Sequence, residues 1–259
     1  MISGQNNKLI GLTPLNEALE SICDNGAVYS LSYAAPPHFL LNLGPGDGQS
    51  TVARHIARVY QQAKIRRFGG LDAYLEFSLD GTMVQMKRVF GDIKSCAVFT
   101  NEYEGIVALD ISALAAHINE AQTEYFLREI RKTSSFATCV FFAVSGTQRS
   151  VARLTAKLCE VVENVQTITV MPYTRRELAA IIEEKINARG IEIEEPSAFR
   201  ERLAAQLAEG EIHTAKQAVS LAEKIMQHVR LEGATAAIGR KEMETAFSCD
   251  VEWEGCVNR

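Results

Sequence analysis

Apolar residues in the first two thirds of the chain fall into short unbroken runs, separated by stretches whose apolar positions recur at helical intervals. Residues 15–22 (LNEALESI) carry helical spacing, and Pro14 suits an early helix position. The run 39–43 (FLLNL) predicts a buried strand, and residues 52–61 predict the helix that follows. Residues 82–93 (TMVQMKRVFGDI) predict a helix with Met83, Met86 and Phe90 on one face and Gly91 near its end. The apolar run 96–100 (CAVFT) reads as a second strand, and residues 111–132 as one or two amphipathic helices. Residues 137–144 (ATCVFFAV) and 167–170 give two more strands, with a helix over 151–163 between them. Strands alternating with helices at these intervals predict a parallel sheet covered on both faces.

Past Pro172 the pattern changes. Thr174-Arg-Arg-Glu177 has capping-box spacing, and the remainder reads as almost wholly helical. Ala215, Ala218, Val219, Ala222, Ile225, Met226 and Val229 form one apolar stripe. The expected division is an α/β/α domain over 1–172 and a helical domain over 173–259.

A chain of 259 residues with 47% hydrophobic content can bury one large core and a smaller one. Its net charge of −5 gives no global basic footprint for nucleic acid. A local basic strip is offered by Lys87, Arg88, Arg128, Arg131 and Lys132. The six cysteines form no C-x-x-C pair, and the five histidines show no ligand spacing, so no metal site is expected. Residues 1–8 lack an apolar signal core, and no apolar run approaches the roughly 20 residues that cross a bilayer. The expectation is a cytoplasmic protein with no membrane association.

The strongest chemical signal is the turn Gly44-Pro-Gly46-Asp47-Gly48-Gln49-Ser50-Thr51 between a strand and a helix. A phosphate-binding loop reads G-x-x-x-x-G-K-[ST] in this context. Register puts Gly48 at the second glycine, Gln49 at the lysine and Ser50 at the Mg²⁺-binding hydroxyl. Leu43 then stands at the first glycine, with Gly44 one place late. A lysine would reach the β- and γ-phosphates; a glutamine supplies no charge. Arg54 and His55, one turn into the helix, are the nearest candidates to compensate.

In its order of motifs the chain resembles the AAA+ ATPases. Residues 9–13 (LIGLT) resemble their entry segment, and residues 44–51 their Walker A loop. Residues 80–90 running into 94–102 resemble the pore-loop glycine, the following helix and the Walker B strand. Residues 141–146 (FFAVSG) stand where sensor 1 falls, residues 170–178 where the lid begins, and residues 211–216 where sensor 2 falls. The likeness is nearest to the Rubisco-activase-like and sporulation branch. It implies a P-loop NTPase-like parallel α/β/α sandwich with a small helical lid. It also implies ATP or ADP as ligand, with Mg²⁺ arriving only with the nucleotide.

Carried over residue by residue, the resemblance assigns Asn101 to the Walker B aspartate position and Glu102 to the neighbouring glutamate, as a vestigial catalytic group. Ser145 takes the sensor 1 position and Lys216 the sensor 2 position. No arginine finger occurs in residues 158–165. Three readings result. One is a catalytically degenerate subunit with weak or no nucleotide binding, a scaffold or regulator packing against itself or an active AAA+ homologue. Another is a weak or partner-activated ATPase remodelling a protein or nucleic-acid complex. The third is a nucleic-acid-binding module using the local basic strip.

Overall fold

The computed structural model describes residues 8–30, 35–44, 46–65, 74–99, 105–117, 119–143, 148–209, 212–232 and 235–239, together with 242 and 245. Two compact units divide it, Met1–Val170 and Met171–Arg259.

In the first unit the chain runs α1 (Thr13–Asp24), α2 (Gly26–Ser30), β1 (His38–Asn42), α3 (Gln49–Gln62), β2 (Tyr74–Ser78), α4 (Met83–Phe99), β3 (Ile106–Asp110), α5 (Ser112–His117), α6 (Glu120–Ser134), β4 (Thr138–Phe142), α7 (Gln148–Val161) and β5 (Val165–Thr169). The five strands form one sheet in the order β2-β3-β4-β1-β5, and every pairing is parallel. Parallel strands need helical crossovers, so both faces are covered. Phe39, Leu41, Ala108, Val140 and Phe142 pack on one face with α1 and α3. Leu40, Val107, Leu109, Cys139 and Phe141 pack on the other with α4, α6 and α7. One-residue alternation along each strand thus feeds two separate cores, and that is why β1, β3 and β4 read as unbroken apolar runs.

The strand expected at residues 96–100 is not there. Cys96–Phe99 continue α4, whose buried positions Met86, Val89, Phe90 and Ile93 hold helical spacing straight through Gly91. Gly91 lies mid-helix rather than at its end. The strand that takes the place beside β4 is Ile106–Asp110, a fully apolar run closed by an acid. The edge strand β2 went unread because it is only half-buried and keeps polar residues on one face.

The second unit holds α8 (Arg175–Asn187), β6 (Ile191–Ile193), α9 (Pro196–Glu209), α10 (Ala215–Met226), β7 (Arg230–Glu232) and β8 (Thr235–Ile238). It is not wholly helical. Its three strands form a second sheet, β6-β8-β7, built from an antiparallel β7–β8 ladder with β6 parallel to β8. Thr174 and Glu177 form a capping box at α8, and Thr214 with Gln217 forms another at α10. Leu178, Ile182, Phe199, Leu203, Ala218, Ala222 and Ile225 make the common core.

Candidate functional site

The turn after β1 and the C-terminal ends of β1, β3 and β4 meet at one edge of the first sheet. Backbone bonds fix this edge. Ala143 N–H donates to the Leu41 carbonyl (3.0 Å), Ile111 N–H to Phe142 (2.8 Å) and Leu79 N–H to Asp110 (2.9 Å). Asp110 therefore ends a central strand at a fixed height beside the turn.

The turn itself is closed on its own backbone. Asp47 N–H donates to the Gly44 carbonyl at 3.1 Å, making a four-residue turn. Gly46 is held at a positive φ of 91°. Gly48 is left-handed at φ 92° and caps α3 without a side-chain bond. Both angles are readily adopted by glycine alone. A phosphate-binding loop instead leaves backbone N–H groups open to an anion. The Asp47 N–H, which such a loop would aim at an anion, is used internally.

Gln49 is folded back across the turn. Its Nε2 donates to the Leu43 carbonyl at 3.1 Å and to Asp110 Oδ2 at 3.4 Å. Asp110 Oδ1 accepts from Ser112 N–H at 2.9 Å. Ser50 Oγ donates to Glu76 Oε1 at 2.7 Å, so the hydroxyl in the motif's metal-binding position is engaged by the edge strand. Thr51 is exposed on the first turn of α3. Asp47 has its carboxyl pushed up by burial, an effect opposed by a hydrogen bond to the Gly44 backbone.

Neither candidate compensating cation faces the turn as a free charge. Arg54 Nε donates to Tyr74 Oη at 2.8 Å, with the guanidinium 5.3 Å from the ring centroid. Burial, and then the nearby Arg58, push the His55 imidazole below its ordinary range. The acids Asp47, Glu76 and Asp110 thus stand round the turn, and the motif's lysine is a neutral amide.

Of the residues singled out from sequence, Gly44, Gly46, Asp47, Gly48, Gln49, Ser50 and Thr51 come together here. Asn101, Glu102 and Ser145 lie outside the described residues. The strand expected to carry Asn101 and Glu102 is helical as far as Phe99. Lys216 is exposed in the first turn of α10, in the second unit. Sequence reasoning missed Asp110, Glu76 and Tyr74. Asp110 had a usable signal: Ile106-Val-Ala-Leu-Asp110 is an apolar strand ending in an acid. The residue after it, Ile111, is 1% exposed and packs into the core.

No family model matches this sequence, and no curated protein matches it. Solved structures do. The Holliday junction branch migration motor RuvB of Thermotoga maritima superposes with a TM-score of 0.54 at 20% identity, covering 92% of this chain and 68% of that one. A point variant of the same protein gives 0.58 at 19% identity, covering 92% and 69%. At such identities the likeness is one of fold. The chain has an α/β P-loop NTPase-like fold, shared with these RuvB structures. Among the described residues, no helix is long and apolar enough to cross a membrane.

Proposed function

We propose that this chain is a catalytically silent AAA+-type subunit, a scaffold or regulator within a protein assembly. One observation carries the reading: the turn in the phosphate-loop position is satisfied by its own atoms. Gln49 spans it to Leu43 and Asp110, and Asp47 N–H closes it on Gly44. The residues present do not fit a tightly held Mg²⁺–nucleotide. A lysine's charge-assisted bonds contribute roughly 1.5–3 kcal/mol each, so their loss costs about 10- to 150-fold in affinity. Phosphoryl transfer rests almost entirely on positioning and charge stabilisation. The glutamate that follows the aspartate in the family motif has the buried Ile111 as its counterpart after Asp110.

A second reading is favoured by one feature. Asp110 ends the inner strand β3 beside the turn, where a metal-organising carboxylate would stand, which suits a weak or partner-activated ATPase. Calorimetric titration with ATP and ADP, with and without Mg²⁺, separates the two when mass is measured before and after. The scaffold reading expects no saturable heat at millimolar nucleotide and no nucleotide-linked change in mass. Mg²⁺-dependent ATP turnover by the unmodified protein would sink it. Self-assembly, or assembly with an active homologue, is the partner class this reading implies.

A further inference from the structure

Away from the turn, α4 and α6 pack side by side on one face of the sheet and share a buried carboxylate. The Glu129 side chain is 4% exposed, yet it is held by three cations: Lys94 at 2.6 Å from α4, with Lys132 at 3.1 Å and Arg128 at 3.3 Å from α6 itself. Those cations keep the rest of their side chains in solvent, at 53%, 55% and 62% exposure. One buried negative charge therefore positions three exposed positive ones, leaving an excess of two.

Lys87, Gly91 and Lys94 lie at i, i+4 and i+7 on α4 and share one face, spanning roughly 10 Å at 1.5 Å per residue. Lys94 fixes that face toward α6. Gly91 is the gap in the row: it is exposed, and a side chain added there would meet nothing within 4 Å. Glycine is a costly choice in the middle of a 17-residue helix. Its use is explained where another chain approaches closely. Lys87 and Lys94 thus flank the open space over Gly91, and Lys94 shares the buried Glu129 with Lys132 and Arg128.

We propose that this exposed basic patch on α4 and α6 docks an acidic, carboxylate-bearing segment of a protein partner. A short acidic segment fits better than a nucleic acid. Tyr125, one turn before Glu129 on α6, is already stacked under Arg128 at 5.1 Å and is not free to stack on a base. A chain of net charge −5 repels a long polyanion beyond the patch, while a short one reaches only the local cations. The proposal deepens the scaffold reading by naming the partner's chemistry. Its test involves no nucleotide, so either can fail without the other.

A fluorescently labelled oligoglutamate peptide serves as probe, with an oligothymidylate of similar charge beside it. The intact chain is titrated by anisotropy at about 20 mM and about 200 mM salt. The expected result is saturable peptide binding that weakens with salt. It should fall about tenfold in Lys87→Ala and in Gly91→Leu, and stay unchanged in Arg58→Ala on the opposite face of the sheet. Gly91→Leu is decisive because it puts a side chain into the open space between Lys87 and Lys94 without altering charge, and a melting curve checks that it folds. Unchanged binding in Gly91→Leu, equal loss in Arg58→Ala, or tighter binding of the oligothymidylate would each overturn the proposal.

Discussion

At the scale of single residues, two side chains decide most of the chemistry. Gln49 replaces a charge with a clasp: its amide satisfies the Leu43 carbonyl and reaches Asp110. Gln49→Ala orphans that carbonyl and should lower stability by about 1 kcal/mol, read as a shift in the urea midpoint. Glu129 shows the opposite economy. Burial raises its pKa, but hydrogen bonds from Lys94, Lys132 and Arg128 outweigh this, and the carboxyl lies at about 2 against an ordinary 4.5. A depressed carboxylate stabilises the fold above its unfolded pKa and loses that contribution as pH falls through the folded value. The window therefore runs from about 4.5 down to about 2. The shift corresponds to an upper figure on the order of 3 kcal/mol, reduced because the three cations stand more than half in solvent. Glu129→Gln should be clearly destabilised at neutral pH. Its deficit against the unmodified protein should shrink as the pH of the denaturation series approaches 2. A deficit independent of pH would mean that Glu129 acts by packing alone.

At the scale of elements, the helices follow local rules closely enough to be adjusted. Gly91 sits in the open interior of α4, so Gly91→Ala should raise stability by roughly 0.5–1 kcal/mol, measured by thermal melting. Thr214 caps α10 through Gln217 N–H, and Thr214→Ala should cost about 1 kcal/mol in the same assay. Legibility in the sequence followed the same division. The helices with clear stripes and the strands β1 and β4 were readable because burial on both sides leaves them uniformly apolar. The run Cys96-Ala-Val-Phe99 was misread because its composition suits a strand, while its phase belongs to the helical row Met86, Val89, Phe90 and Ile93. Composition without phase could not separate the two. That single error moved the expected strand-end acid away from Asp110. The small sheet of the second unit was invisible for another reason: strands of three and four residues carry too few positions to show a period.

At the scale of the molecule, the scaffold reading turns on how many features separate this chain from a working ATPase. If Gln49 alone separated this chain from a working ATPase, restoring the cation would restore turnover. Three features argue otherwise. The turn uses the Asp47 N–H to close on Gly44. Ser50 is tied to Glu76. The side chain after Asp110 is an isoleucine buried in the core, where a carboxylate would be desolvated at a cost of several kcal/mol. These features do not depend on the charge at position 49, so changing that charge cannot undo them. Gln49→Lys should therefore fold with an unchanged or higher melting temperature, because the new ammonium faces Asp110 at the place now held by the amide. It should still hydrolyse no ATP above the buffer rate in a coupled phosphate-release assay with Mg²⁺ present. Measurable turnover from that one substitution would show that the tight turn opens on demand, and would return the chain to the partner-activated reading.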